Sequence, residues 1–193
     1  MSVSMDVWIN TKENVQPLRE GRDATALATV VSPDGGLRAR QRQLAARRAE
    51  FERQLAIEKQ KGPAGDVMDV WRRYIHWAQQ SYPTDAASSE VLALVTRCTG
   101  ELGDSPAAAN DIRYLAVWIR YSDLRGNDGA ADVFRYLEQH RIGLQHALYY
   151  EALSAWHEIN GRFADAKRAY QAGMEAKAVP LDRLTRHYRE FIK

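Results

Sequence analysis

The sequence predicts an all-α protein: antiparallel helix hairpins stacked into a superhelix, preceded by an extended N-terminal arm. Three observations predict it. From Leu37 onward, apolar residues recur at spacings of three and four, the period of an amphipathic helix. Short turns rich in Gly, Pro, Asn and Asp separate these runs. No run alternates apolar and polar residues with β-branched enrichment, so no sheet is expected.

Residues 1–36 stand apart. They hold Pro17, Gly21, Pro33, Gly35 and Gly36 and carry no sustained apolar stripe. They read as an arm that orders on a partner. A short helix is expected within Asp23–Val31, capped by Asp23 and broken by Pro33-Asp34-Gly35-Gly36. The helical domain then occupies 37–193.

Leu37–Lys61 predicts a long helix ended by Gly62-Pro63. Leu44, Phe51 and Leu55 form a thin apolar stripe, with Ile57 a candidate fourth member. Arg38, Arg40, Arg42, Arg47, Arg48 and Arg53 cover much of the rest. This surface reads either as a basic face for an acidic partner or as a solvated helix partly offset by Glu50 and Glu52. Charge-laced exposed faces are common, which favours the second reading.

Asp66 caps the next helix, which carries Val67, Val70, Trp71, Tyr74, Ile75 and Trp77 to about Ser81 and stops at Tyr82-Pro83. Another runs from about Ala86 to Leu102. The loop Gly103–Ala109 leads to Asn110-Asp111, which cap a helix through Leu124. Further helices are expected over Ala130–Arg141, Gln145–Asn160 and Arg162–Ala178, with a last one starting near Pro180.

Helix pairs of this kind invite a search for a period. Tyr150 and Leu153 fall at the large apolar positions of the first helix of a tetratricopeptide (TPR) unit, Ser154 at the small position and His157 at the aromatic one. Gly161 makes the turn, and Ala166, Tyr170 and Gly173 follow at the spacings of the second helix. The preceding pair repeats this loosely through Tyr114, Val117, Trp118, Tyr121, Ala130, Phe134 and Leu137, with Trp118 in place of the small residue. Trp71, Tyr74 and Ile75 start an earlier, divergent unit. The aromatic stripes are therefore core rather than a cofactor site, and a TPR-like array presents surfaces to peptides.

Composition excludes several function classes. A net charge of +2 argues against a nucleic acid or an anionic membrane as partner. No apolar stretch approaches the roughly 20 residues of a spanning helix, and Met1–Asp6 carries no secretory signal. The one cysteine, Cys98, implies a reducing compartment and reads as a small buried hydrophobe within an apolar helix. The five histidines show no zinc-ligand spacing, and neither a phosphate-cradling loop nor a nucleophile elbow occurs. No enzyme activity, cofactor or metal is expected.

The arm contains Trp8-Ile9-Asn10-Thr11-Lys12-Glu13-Asn14-Val15-Gln16-Pro17-Leu18. With Trp71, Tyr74-Ile75, Trp77, Tyr82-Pro83, Asn110-Asp111-Ile112-Arg113-Tyr114-Leu115, Trp118-Ile119-Arg120-Tyr121, Ile142-Gly143 and Gly161, it resembles the N-terminal region of the Mad/Bub family of spindle-checkpoint proteins, on the branch without a working kinase. The resemblance implies a pseudosubstrate. Lys12-Glu13-Asn14 (a KEN box) would dock on the WD40 co-activator of the anaphase-promoting complex, with Trp8, Pro17 and Leu18 as apolar contacts beside it. For Trp8, packing against the arm's own helix is an equal alternative. Other mitotic checkpoint complex subunits are implied partners, with kinetochore peptides in some members. The expected location is cytoplasm and nucleus, and the kinetochore in mitosis. Two other readings stay open: a kinetochore scaffold of the kinase-bearing Bub branch, and a substrate whose Lys-Glu-Asn is a true degron.

Overall fold

The computed structural model describes residues 36–82, 84–103 and 105–193. The expected arm, its Asp23–Val31 helix and the Pro33–Gly35 turn lie outside the described residues, as does Pro83.

The described chain is all-α, as the periodicity implies. It holds eight α-helices: α1 Gly36–Gln60, α2 Val67–Ser81, α3 Thr84–Leu102, α4 Pro106–Ala109, α5 Ile112–Gln139, α6 Ala147–Ile159, α7 Phe163–Glu175 and α8 Leu181–Phe191. Among the described residues there is no strand, and an isolated parallel bridge joins His146 to Val179. The chain divides into two compact units, Met1–Val91 and Leu92–Lys193.

In the first unit α1 and α2 form a hairpin through a 3-10 turn at Gly62–Ala64. Asp66 caps α2 by accepting the backbone N–H of Asp69 at 3.0 Å. Its own N–H donates to Glu58 at 3.0 Å, which ties the end of α1 to the start of α2. Phe51 and Leu55 are buried, and Phe51 stacks on Tyr74 of α2 with centroids 4.7 Å apart. Ile57 departs from expectation: it is 54% exposed. Two residues beyond Leu55, it lies about 200° further round the helix, on the solvent side.

In the second unit the segment read as a loop holds the short helix α4. Ser105 caps it, with Pro106 at its first position, the usual start signal for a helix too short to show an apolar stripe. Asp111 caps α5, accepting the backbone N–H of Arg113 at 2.8 Å. Within α5, Gly126 has φ +69° and ψ −175°, so α5 is two helical segments joined at a bend. This agrees with the two helices expected there, because the conformation is one that glycine adopts readily.

In the hairpin of α6 and α7 the small residues expected at Ser154, Ala166 and Gly173 lie at the helix contact. Ser154 is fully buried and its hydroxyl donates to the carbonyl of Ala166 at 3.1 Å. Ala166 is also fully buried. At Gly173, a Cβ would sit 2.5 Å from Cγ of Tyr150 and 2.8 Å from a methyl of Leu184. The connection to α8 passes a cis Val179–Pro180 bond. It is held by Ala147 N–H to the carbonyl of Val179 and Val179 N–H to that of Gln145, both 2.9 Å.

Two effects oppose each other if Gly173 becomes Ala. Helix propensity gains up to about 1 kcal/mol, whereas overpacking a tight core costs about 1–3 kcal/mol. The contacts are ring and methyl carbons of buried side chains, so overpacking wins. Gly173→Ala is expected to lower the urea midpoint, with a net loss of about 1–2 kcal/mol in equilibrium unfolding.

Candidate functional site

All six residues assigned to the docking motif from sequence (Trp8, Lys12, Glu13, Asn14, Pro17 and Leu18) precede Gly36 and lie outside the described residues. The described residues supply the helical platform that follows them, and its construction was only partly visible in the sequence.

In the first unit an aromatic ladder joins α1 to α2. Phe51 and Tyr74 stack with planes 9° apart. Trp71 lies 6.1 Å from Tyr74, Trp77 lies 6.0 Å from Tyr74, and Tyr82 meets Trp77 edge-on at 6.1 Å. Arginines of α1 extend the ladder. The Arg47 guanidinium lies 4.9 Å from the Phe51 centroid. Arg48 lies over the Tyr82 ring at 5.3 Å, donates to the Tyr82 hydroxyl at 2.8 Å, and pairs with Glu90 at 2.5 Å. The bond to Glu90 raises the Arg48 pKa above its usual value against the opposing effect of burial. Arg40 donates to the carbonyl of Ser81 at 2.8 Å, closing an open end of α2. Arg40, Arg47 and Arg48 are thus partly structural. Their signal in the sequence was spacing: they fall close to the same side of α1 as Leu44 and Phe51.

In the second unit α8 is locked to α6 by a charge cluster that the sequence reading missed. Glu151 is 1% exposed. Arg183 grips it with both arms of its fork, Nε donating to Oε1 at 3.0 Å and Nη2 to Oε2. His187, one turn further along α8, places Nδ1 3.3 Å from Oε1. The available signal was a single charge in the otherwise uncharged stretch Ala147–Trp156, with Arg183 and His187 four apart on one face of α8.

Burial pushes the His187 imidazole below its ordinary pKa despite the attraction of Glu151, and Arg183 pushes the same way as burial. His157 is likewise lowered, first by burial and then by Arg162. Burial raises the phenols of Tyr149 and Tyr170. Cys98 is fully buried. Among the described residues no group of three or more His, Cys, Asp or Glu is placed to hold a metal, and no helix is long and apolar enough to cross a membrane.

Known proteins resemble this chain in sequence and in fold. The sequence profile of Mad3/BUB1 homology region 1 matches residues 46–174. The chain is 35% identical over 186 residues to the mouse (Mus musculus) mitotic checkpoint serine/threonine-protein kinase BUB1 beta, covering 95% of this chain and 17% of that protein. It is 31% identical over 193 residues to the mitotic spindle checkpoint component mad3 of Schizosaccharomyces pombe, covering 98% of this chain and 59% of that protein. It therefore spans less than two thirds of the length of either relative. A chain in a crystal structure of a mitotic checkpoint complex superposes with a TM-score of 0.74 at 30% identity, covering 100% of this chain and 87% of that one.

Two predictions follow from the Glu151 cluster and the buried imidazoles. Glu151→Ala strands the Arg183 guanidinium, which is 18% exposed. Breaking a buried pair costs about 3–5 kcal/mol, and the partial contact of Arg183 with water sets the expectation at about 3 kcal/mol. Adding Arg183→Met is expected to recover part of that loss in a double-mutant unfolding cycle. For pH, both His157 and His187 have folded-state pKa values below the ordinary 6.5, so the folded state favours the neutral rings. Their stabilising contribution is complete above that value and fades as pH falls through it toward the folded pKa. The melting temperature is expected to drop between about pH 7.5 and 5.5. A His157→Gln, His187→Gln variant should show a flatter profile in that window by circular dichroism.

Proposed function

The chain belongs to the Mad3/BUB1 homology region 1 family, and from that premise we propose that it serves the spindle assembly checkpoint as a non-catalytic pseudosubstrate inhibitor of the anaphase-promoting complex. The observation that carries the reading is the match, over the full length of this chain, to a component of a mitotic checkpoint complex. Lys12-Glu13-Asn14 stands ahead of residues 46–174, the stretch that the family profile matches, where a docking peptide motif belongs.

The chemistry is recognition. Lys12 offers three donors to acidic groups on the rim of the WD40 co-activator, Glu13 accepts from basic or polar groups, and Asn14 pins a turn with its amide. Trp8, Pro17 and Leu18 add apolar contact, and an aromatic anchor often dominates a small interface. Occupying the receptor blocks recruitment of substrates and delays anaphase. The motif is tethered to the helical region, so docking of one raises the effective concentration of the other. The partners are the co-activator and the other subunits of the checkpoint complex, and the sites of action are cytoplasm, nucleus and mitotic kinetochores.

The test compares binding of purified WD40 co-activator by the wild type and by a variant with Lys12, Glu13 and Asn14 all changed to Ala, together with mitotic arrest in cells. Affinity is expected to fall more than about tenfold, with loss of arrest. Undiminished binding would sink the proposal. Lost binding with intact arrest and a longer protein half-life would instead identify a degron.

A further inference from the structure

Among the described residues, the outer side of α1 packs against no other helix, and Arg53 there pairs with Glu50 of the same helix. Phe51 and Leu55 turn toward the core of the first unit, and the opposite side carries Arg38, Arg42, Ala46, Ala49, Arg53 and Ile57, three or four residues apart. All six are exposed, Ile57 at 54%. The spacing draws one stripe roughly 28 Å long.

Charge along this helix is unbalanced. From Gly36 to Ala49 there are five arginines and no acidic residue, in a chain whose net charge is +2. The acidic groups of α1 come later, and two are engaged locally. Glu50 accepts from Gln54 at 2.8 Å and from Arg53, and Glu58 accepts from Lys61 at 2.6 Å and from the Asp66 backbone at 3.0 Å. Arg40 and Arg48 are drawn to α2, Tyr82 and Glu90. Arg38 and Arg42 face solvent. Beside the stripe lies a shallow concavity of about 410 Å³ lined by Gln43, Ala46, Arg47, Glu50 and Arg53.

We propose that this outer side of α1 is a docking surface for an acidic amphipathic helix of another protein. Three features select that occupant. The exposed guanidiniums are forks that match carboxylates on a facing helix. The alanines between them let a second helix axis approach closely. Ile57, at the far end of the stripe, asks for an apolar contact. A nucleic acid would satisfy the arginines and leave the alanines and Ile57 uncovered, and a net charge of +2 gives little long-range attraction for a polyanion.

The experiment uses the full chain and a labelled helical peptide of about 20 residues with Glu and Leu repeating every third and fourth position, which matches the length of the stripe. Controls are the same peptide with Lys for Glu and a DNA duplex of similar length. Fluorescence anisotropy is expected to show the acidic peptide binding at least about tenfold tighter than its basic counterpart, and more weakly as salt rises. Reversing charge at R38E, R42E and R53E should invert that preference. A second variant, R38A/R42A/R53A, should lose about tenfold with an unchanged melting temperature, which separates lost docking from lost folding. I57D should also weaken the peptide. Equal affinity of wild type and triple-alanine variant overturns the proposal, as does DNA competing as well as the peptide or indifference to I57D.

Discussion

How closely α7 approaches α6 is set at residue 173, where the absence of a side chain leaves room for the ring of Tyr150 and a methyl of Leu184. The Ser154 hydroxyl on Ala166 fixes the same two helices at one level. With that separation settled, Tyr170 is buried between the helices and meets Tyr188 and Phe191 of α8 at 5.9 and 5.5 Å. α8 is a helix rich in charge, with Leu184 as its fully buried residue. A helix so short and polar has little stability alone. It is held by the surface that α6 and α7 prepare, and by Arg183 and His187 on Glu151.

That dependence explains why Glu151 is buried. A carboxylate at 1% exposure is unfavourable unless its oxygens are satisfied. The guanidinium fork satisfies both, and it must arrive from α8 because the neighbours of Glu151 on α6 are Tyr150, Ala152 and other uncharged residues. Replacing such a cluster by apolar groups is often neutral for stability. Its value here is register: a bidentate bond is satisfied in one placement of α8, whereas a smooth apolar contact tolerates sliding.

The sequence was legible where local chemistry and tertiary structure agree. The caps at Asp66 and Asp111, the turn at Gly161 and the small residues at Ser154, Ala166 and Gly173 all state a geometric need that one residue type meets. It was illegible where the partner lies far along the chain. Arg40 and Arg48 looked like surface charge because Ser81, Tyr82 and Glu90 are more than 30 residues away. Glu151 drew no reading from sequence because Arg183 and His187 sit on another helix. α4 was missed because four residues cannot show a period. Ile57 was misplaced because a thin stripe on a polar helix gives a weak phase, and one position shifts a side chain by about 100°. The motif residues were read through family resemblance, since a three-residue peptide signal carries no periodicity and no packing.

The arginines of α1 make a final point about how charge is divided on one helix. Arg40 meets the Ser81 carbonyl, Arg47 the face of Phe51 on α1 itself, and Arg48 the Tyr82 hydroxyl and the Glu90 carboxylate. The aromatic face and the carboxylate suit a planar, forked guanidinium better than an ammonium. On the outer side Arg53 pairs with Glu50 of its own helix, whereas Arg38 and Arg42 face solvent. An exposed run of like charge opposes helix formation through mutual repulsion. A solvated helix could relieve this with glutamates at the same spacings, as Glu50 does for Arg53. The first half of α1 omits them. The omission is unfavourable for the isolated chain and becomes favourable when carboxylates come from outside, which is the physical ground for reading that side as a binding face.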